Sequence, residues 1–349
     1  VTQVRLGSAP GLATGRIATS GRPRGTAAAA SGVAAAVVLV LLASAASIFI
    51  GSRPVQPAAL LDPTHPLHAV LAARIPRTLL ALAVGAALGL AGACLQGLTR
   101  NPLADPGILG INAGASLAMV LGMSVLGISD LSSYIWFAFA GAAVAGILVH
   151  AIASMGPGGA TPLSLAIAGA ALAALAASWT SAMLLADRQT METFRFWAVG
   201  TVGGRGFDVL LTGLPFLLAG AVLALAGARL LDALALGDDL ARGLGRRTGF
   251  DRAALGLAVV LLAGTATALA GPLAFVGLLV PHAVRAVTGP HHGRLLPLAA
   301  VAGAVLVTLA DTLGRVVLPP AEVQVGIMTV LVGVPAFLAL IRRGRMGAL

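Results

Sequence analysis

The chain has 349 residues, 58% of them apolar and only 10% charged, with a mean hydropathy of +0.98 and a formal net charge of +10. A water-soluble domain carries about 25% charged residues, so this composition excludes a soluble body and places the chain in a membrane. Aromatic side chains make up 4%, with Tyr134 the only tyrosine; that speaks against an outer-membrane barrel with its aromatic girdles and leaves helical spans.

All 22 basic residues are arginine. Without lysine no Walker A loop can be assembled and no Schiff base can form, so if ATP drives this chain, it is hydrolysed on a partner. In a membrane protein the positive balance reads as loops facing the cytoplasm rather than as a nucleic-acid surface. Cys94, the only cysteine, lies in an apolar run and reads as a small packing residue.

Residues 1–31 combine Gly, Ser, Thr, Pro and four arginines without periodicity, and read as a flexible cytoplasmic tail. Residues 32–349 read as one transmembrane domain. Ten apolar runs follow one another at 33–51, 75–98, 108–127, 134–154, 162–186, 208–228, 253–271, 274–288, 295–315 and 325–341, most of them near the roughly 17–25 residues a span requires. Arg22 and Arg24 before the first run, with ASAAS inside it, resemble a secretory signal. The run continues through Ile48, Phe49 and Ile50, which favours an uncleaved span. Gly271-Pro272 marks a break between the seventh and eighth runs.

With both termini inside, fifteen arginines fall in inner segments and seven in outer ones, as the positive-inside rule requires. Of the outer seven, Arg188, Arg195 and Arg205 share a loop with Asp187, Glu192 and Asp208. Arg74 and Arg77 flank Pro76 at an expected helix start, with no acidic neighbour in sequence and a dipole that disfavours cations. They suit headgroup phosphates and an acidic protein partner equally well.

Four further features stand out. Residues 233–244 predict a short amphipathic helix, with Leu236, Leu240 and Leu244 at i, i+4 and i+8 on one face, Asp238, Asp239 and Arg242 toward solvent, and Gly245 as its stop. Outside, residues 190–206 place Phe194, Phe196 and Trp197 beside Gly200, Gly203 and Gly204, a pattern that fits a re-entrant helix closing the outer mouth and fits interfacial anchoring as well. Asp311 and Arg315 are spaced for a local ion pair. His65, His68, His291 and His292 read as solvated loop residues with no third ligand at metal spacing, and His282 reads as a packing residue.

Four stretches occur in order: NPLADP (101–106), FVGLLVPHAVR (275–285), ADTLGR (310–315) and VGIMTVLVGVPAF (325–337). On these the chain resembles the FecCD-type permease family, the membrane subunits of type II ABC importers for iron–siderophore complexes, haem and vitamin B12, from about residue 70 to the C-terminus. The resemblance implies an all-α, BtuC-like fold of about ten helices in the inner membrane with both termini cytoplasmic. It implies pairing with a second permease subunit, identical or homologous, around a path walled by Ser164 to Ser181 and Gly326 to Gly333. Two ATP-binding subunits would carry ATP and Mg, with no cofactor on this chain. Their coupling contact would be about 233–245, including Leu236, Gly237, Asp238, Leu240, Ala241, Leu244 and Gly245. A soluble substrate-binding protein would dock on Arg74, Arg77 and Arg315. A ferric siderophore is the cargo this family suggests first, with haem or vitamin B12 as the alternative. A rival of another class, an ion-coupled secondary transporter, would be marked by intramembrane acids, and only Asp311 qualifies. A membrane enzyme would need motifs that the sequence lacks.

Overall fold

The computed structural model describes residues 25–342 apart from 54, 61, 63, 129–130, 157–159 and 244–247. Most of the expected tail therefore lies outside the described residues, as do Leu244 and Gly245. The helices in chain order are α1 Gly25–Phe49, α2 His68–Thr99, α3 Ile111–Leu126, α4 Leu131–Ser154, α5 Pro162–Ala186, α6 Arg188–Ala198 and α7 Phe207–Ala226. They continue with α8 Ala228–Ala235, α9 Asp238–Gly243, α10 Thr248–Val259, α11 Thr265–Ala270, α12 Val276–Thr288, α13 His292–Val317 and α14 Val325–Arg342.

Among the described residues, seven helices are long and apolar enough to cross a membrane and three further apolar helices are shorter. They coincide one for one with the ten apolar runs, with α10 and α11 joined through a π turn at Val260–Gly264 into a single span. Two helix starts come seven or more residues earlier than sequence reading places them. The first helix begins at Gly25, inside the expected tail, because Ala27 to Ala30 are the strongest helix formers. The second begins at His68, two turns ahead of Pro76, which sits inside it. The proline removes one backbone hydrogen bond, and the alanine- and leucine-rich turns on either side carry the helix through.

At the centre stands α2, with 78% of its most apolar stretch buried. Its neighbours reach it through bare backbone: a Cβ on Gly85 would meet the Gly303 carbonyl of α13, and one on Gly303 would meet the Gly85 carbonyl in return. Gly89 and Gly92 face the Ala299 and Gly277 carbonyls in the same way, so small residues let α13 and α12 close on α2. The break at Gly271-Pro272 is present. Gly271 has φ 76° and residues 271–275 are not helical, which leaves α12 with 13 residues, about 20 Å at 1.5 Å per residue.

Candidate functional site

The far end of α13 carries a knot of charge. Asp311 is 2% exposed and faces Arg77 of α2, whose Nε and Nη2 donate to its two oxygens at 2.9 and 2.8 Å. This is the bidentate fork that makes arginine–carboxylate pairs strong. The remaining arm of Arg77, Nη1, donates to Glu322 Oε2 at 2.8 Å. Arg315, 1% exposed, meets Asp311 at 3.3 Å as the i, i+4 spacing predicts. It also donates to the Ser47 carbonyl at 2.8 Å and the Ser47 hydroxyl at 2.9 Å on α1. Arg74 donates to the main-chain carbonyls of Ile48 at 3.0 Å and Arg53 at 2.8 Å.

The expectation that Arg77 is uncompensated is thus corrected. Its two acids lie 234 and 245 residues away in the chain, where local sequence cannot reveal them. Three guanidinium groups share two carboxylates, so the knot keeps one positive charge in excess. Its solvent-facing edge is Arg77 with Glu322, whereas Arg74 and Arg315 lie beneath.

The segment after α5 forms α6. Asp187 caps it, accepting from the Gln189 and Thr190 amides at 3.0 and 3.3 Å and from the Thr190 hydroxyl; the Thr190 bonds hold its carboxyl below the ordinary aspartate value. The three aromatic residues part company. Trp197 is buried with Phe194 packed 5.9 Å from it, while Phe196 is exposed beneath the Arg195 guanidinium. After α6 the chain is stitched between two helix breaks: the Thr201 amide donates to the Ala270 carbonyl at 2.7 Å, and the Gly326 amide to the Gly200 carbonyl at 3.1 Å. Gly200, at φ 80°, takes a left-handed turn here, and its neighbours Gly271 and Gly326 press on the Trp197 and Val199 carbonyls. Beside this stitch opens a recess of about 470 Å³ lined by Asn112, Val199, Pro272, Gly326, Val330 and others. The faces of α5 and α14 expected to wall a path are largely uncovered in the single chain, with Ile167, Leu175, Trp179, Ile327 and Leu331 exposed.

At the opposite end of α13 lies the segment read as one amphipathic helix, and it is two. Gly237 has φ 109°, a conformation costly for any residue with a Cβ, and it separates α8 from α9. The expected face survives in part: Leu236 and Leu240 are 60% and 62% exposed, and Ala241 is buried. Asp238 opens α9, and Leu244 and Gly245 lie beyond the described residues. Buried Leu230, Leu231 and Leu234 anchor α8.

The same end corrects the reading of His292 as a solvated residue. It is buried, and its Nδ1 and main-chain amide bond to Asp232 Oδ1 of α8 at 2.8 and 2.9 Å; His291 Nδ1 reaches Oδ2 at 2.7 Å. Among the described residues no group of His, Cys, Asp or Glu is arranged to hold a metal ion. His282 packs edge-on to Phe337 and Cys94 is fully buried, as expected of packing residues. Sequence reading missed Gln96, a buried amide that accepts from Arg285 of α12 at 3.1 Å and donates to the Leu278 carbonyl at 3.2 Å. Its one signal was a lone polar residue in the apolar run of α2.

The FecCD transport family model matches residues 37–343. The chain belongs to this family. It is 44% identical over 272 residues to the Fe(3+)-citrate import system permease protein YfmD of Bacillus subtilis, covering 78% of this chain and 80% of that one. It is 41% identical over 313 residues to the ferric enterobactin transport system permease protein FepD of Escherichia coli, covering 88% and 93%. Among solved structures it superposes on a metal-chelate type ABC transporter in an inward-facing conformation, with TM-score 0.81, 27% identity and coverage of 90% of this chain and 99% of that chain. The chain is therefore a polytopic membrane permease of the metal-chelate ABC importer kind. In this family the permease is the transmembrane component and not the ATPase.

Proposed function

We propose that the chain carries ferric siderophore complexes inward across the inner membrane, in a pair with a second permease subunit. Two separate ATP-binding subunits supply ATP hydrolysis, and a soluble binding protein delivers the cargo. The observation that supports this reading most strongly is the kinship with permeases named for ferric citrate and ferric enterobactin. Haem and vitamin B12 are the competing cargoes within the family.

In this reading each contact falls on a named part of the chain. Leu236, on the turn between α8 and α9, and Leu240 of α9 form the exposed apolar tip that seats on the ATPase, with Asp238 beside them and buried Ala241 anchoring α9 behind. At the other end the arginine knot is the docking surface for acidic side chains of the binding protein. Arg77 is its accessible edge, and Arg74 and Arg315 hold that edge from below. Phe194, Phe196, Trp197 and Gly200 form the outer gate, and the uncovered faces of α5 and α14 line the path against the second subunit.

The test is purification and uptake. Affinity capture from membranes should bring down an ATPase with a Walker motif. Cells dependent on this permease should take up radioiron from a panel of ferric citrate, catecholate, hydroxamate and haem only while ATP is available. Uptake that follows an ion gradient, with no ATPase in the capture, would overturn the reading.

A further inference from the structure

We propose that Asp232 is a positioning residue that latches the α8–α9 segment to α13, so that a displacement of this segment by the ATPase is delivered to that helix. The inference rests on the coupling reading given above.

An ionised carboxylate can only accept hydrogen bonds, and Asp232 accepts two from one residue, the His292 amide at 2.9 Å and His292 Nδ1 at 2.8 Å, while His291 Nδ1 stands 2.7 Å from its second oxygen. Toward an ionised Asp232, His292 Nδ1 is the donor. The first amides of a helix lack partners within it and carry partial positive charge, and His291, at the cap position of α13, gives no side-chain cap. Asp232 supplies the missing acceptor from sixty residues earlier. The longest helix after α2 thus takes its cap from the element that ends in the exposed leucine tip.

The surroundings make this a joint with two unequal halves. His292 is locked: it is buried, and its ring presses Nε2 against Gly97 of α2, where a Cβ would stand 2.5 Å away. His291 is two-thirds exposed and Asp232 is one-quarter exposed, so water reaches the outer half. A carboxylate held by one fixed and one free imidazole can rotate with the segment without releasing α13. From His292 the helix runs 19 residues to Asp311, about 28 Å at 1.5 Å per residue, and ends in the arginine knot. The latch therefore connects the leucine tip at one end of α13 to the arginine knot at the other.

The experiment uses the full chain in the complex with the ATPase subunits that co-purify with it, reconstituted in lipid nanodiscs. Spin labels go on Ala235→Cys and Arg294→Cys, both exposed, and distances are read by pulsed electron resonance with and without vanadate-trapped ATP. In the parent the distribution should be narrow and should stay in place on trapping, because α8 and α13 travel together. In Asp232→Ala it should broaden at least twofold and shift on trapping, with basal ATPase activity within about twofold of the parent. Asp232→Asn preserves the packing and one acceptor, and should give an intermediate width; it serves if the alanine variant fails to assemble. A distribution in both variants as narrow and as fixed as in the parent would overturn the latch. A broad distribution that does not move on trapping would instead overturn the coupling reading on which the latch's function depends.

Discussion

Arg77 and Asp311 sit on different helices, 234 residues apart in the chain, and meet through two parallel hydrogen bonds of 2.8 and 2.9 Å. Asp311 is at once the partner of Arg315, so one buried carboxylate ties α2 and α13 together, and Arg315 extends the tie to α1. Breaking a buried pair by removing one partner costs about 3–5 kcal/mol, because the other charge is left without compensation. Arg77→Ala and Asp311→Ala should each lower the thermal unfolding temperature of the detergent-solubilised protein, whereas replacing both with apolar residues should restore much of the loss. Charge reversal at Arg77 would set a third carboxylate beside Asp311 and Glu322 and should prevent accumulation in the membrane. Normal expression and melting of Arg77→Glu would show that the pair contributes little.

Glu322 is the accessible acid of the same knot. Glu322→Gln should free one arm of Arg77 and raise the association rate with the binding protein at low salt by roughly two- to tenfold, since complementary charge acts chiefly on the rate of encounter. Surface plasmon resonance at two salt concentrations reads the change, and an unaltered rate and salt slope would remove Arg77 from docking.

The exposed leucine tip calls for a different signature. Leu240→Asp changes a side chain that is 62% exposed, so stability should move by less than about 0.5 kcal/mol, while radioiron uptake should fall at least tenfold. Wild-type uptake in this variant would separate the tip from energy transfer.

In α6 the aromatic residues should diverge. Trp197→Ala empties a buried site and should cost about 3–5 kcal/mol, read as a lower melting temperature, whereas Phe196→Ala should leave melting unchanged and act, if at all, on uptake.

Acid should loosen α6 through its cap. Hydrogen bonds from Thr190 favour the ionised form of Asp187 and depress its folded-state pKa, so the cap's contribution is fully present above the unfolded value near about 3.9 and disappears as pH falls through the lower folded value. Hydrogen exchange at the Gln189 and Thr190 amides, corrected for its intrinsic pH dependence, should accelerate over that window. In Asp187→Ala it should be fast and lack that step at every pH.

The spans were legible because length and hydropathy are local quantities, and the break at Gly271-Pro272 because glycine and proline act on their own backbone. What the sequence hid was long-range pairing. Arg77 lacked a partner only until folding delivered Asp311 and Glu322, and His292 read as solvated because Asp232 lies sixty residues before it. The leucine spacing around 236–244 suggested one helix; Gly237 sat within it as a plain small residue, and its left-handed φ shows only once the chain is folded. The docking role proposed for Arg74, Arg77 and Arg315 comes from family resemblance, yet the burial of Arg74 and Arg315 could not be read from any motif.

The crossing of α2 and α13 has a mechanical consequence. Where Gly85 and Gly303 touch main chain to main chain, the two helices stand as close as backbone allows. Gly303 lies 11 residues from His292 and 8 from Asp311, about 16 and 12 Å along the helix, and Gly89 against Ala299 on one side and Arg77 on Asp311 on the other hold the same two helices together. A push at the latched end therefore meets α2 along the length of α13 and has no single point to pivot about. A bulkier residue at Gly303 would prise the helices apart at mid-length without touching either end.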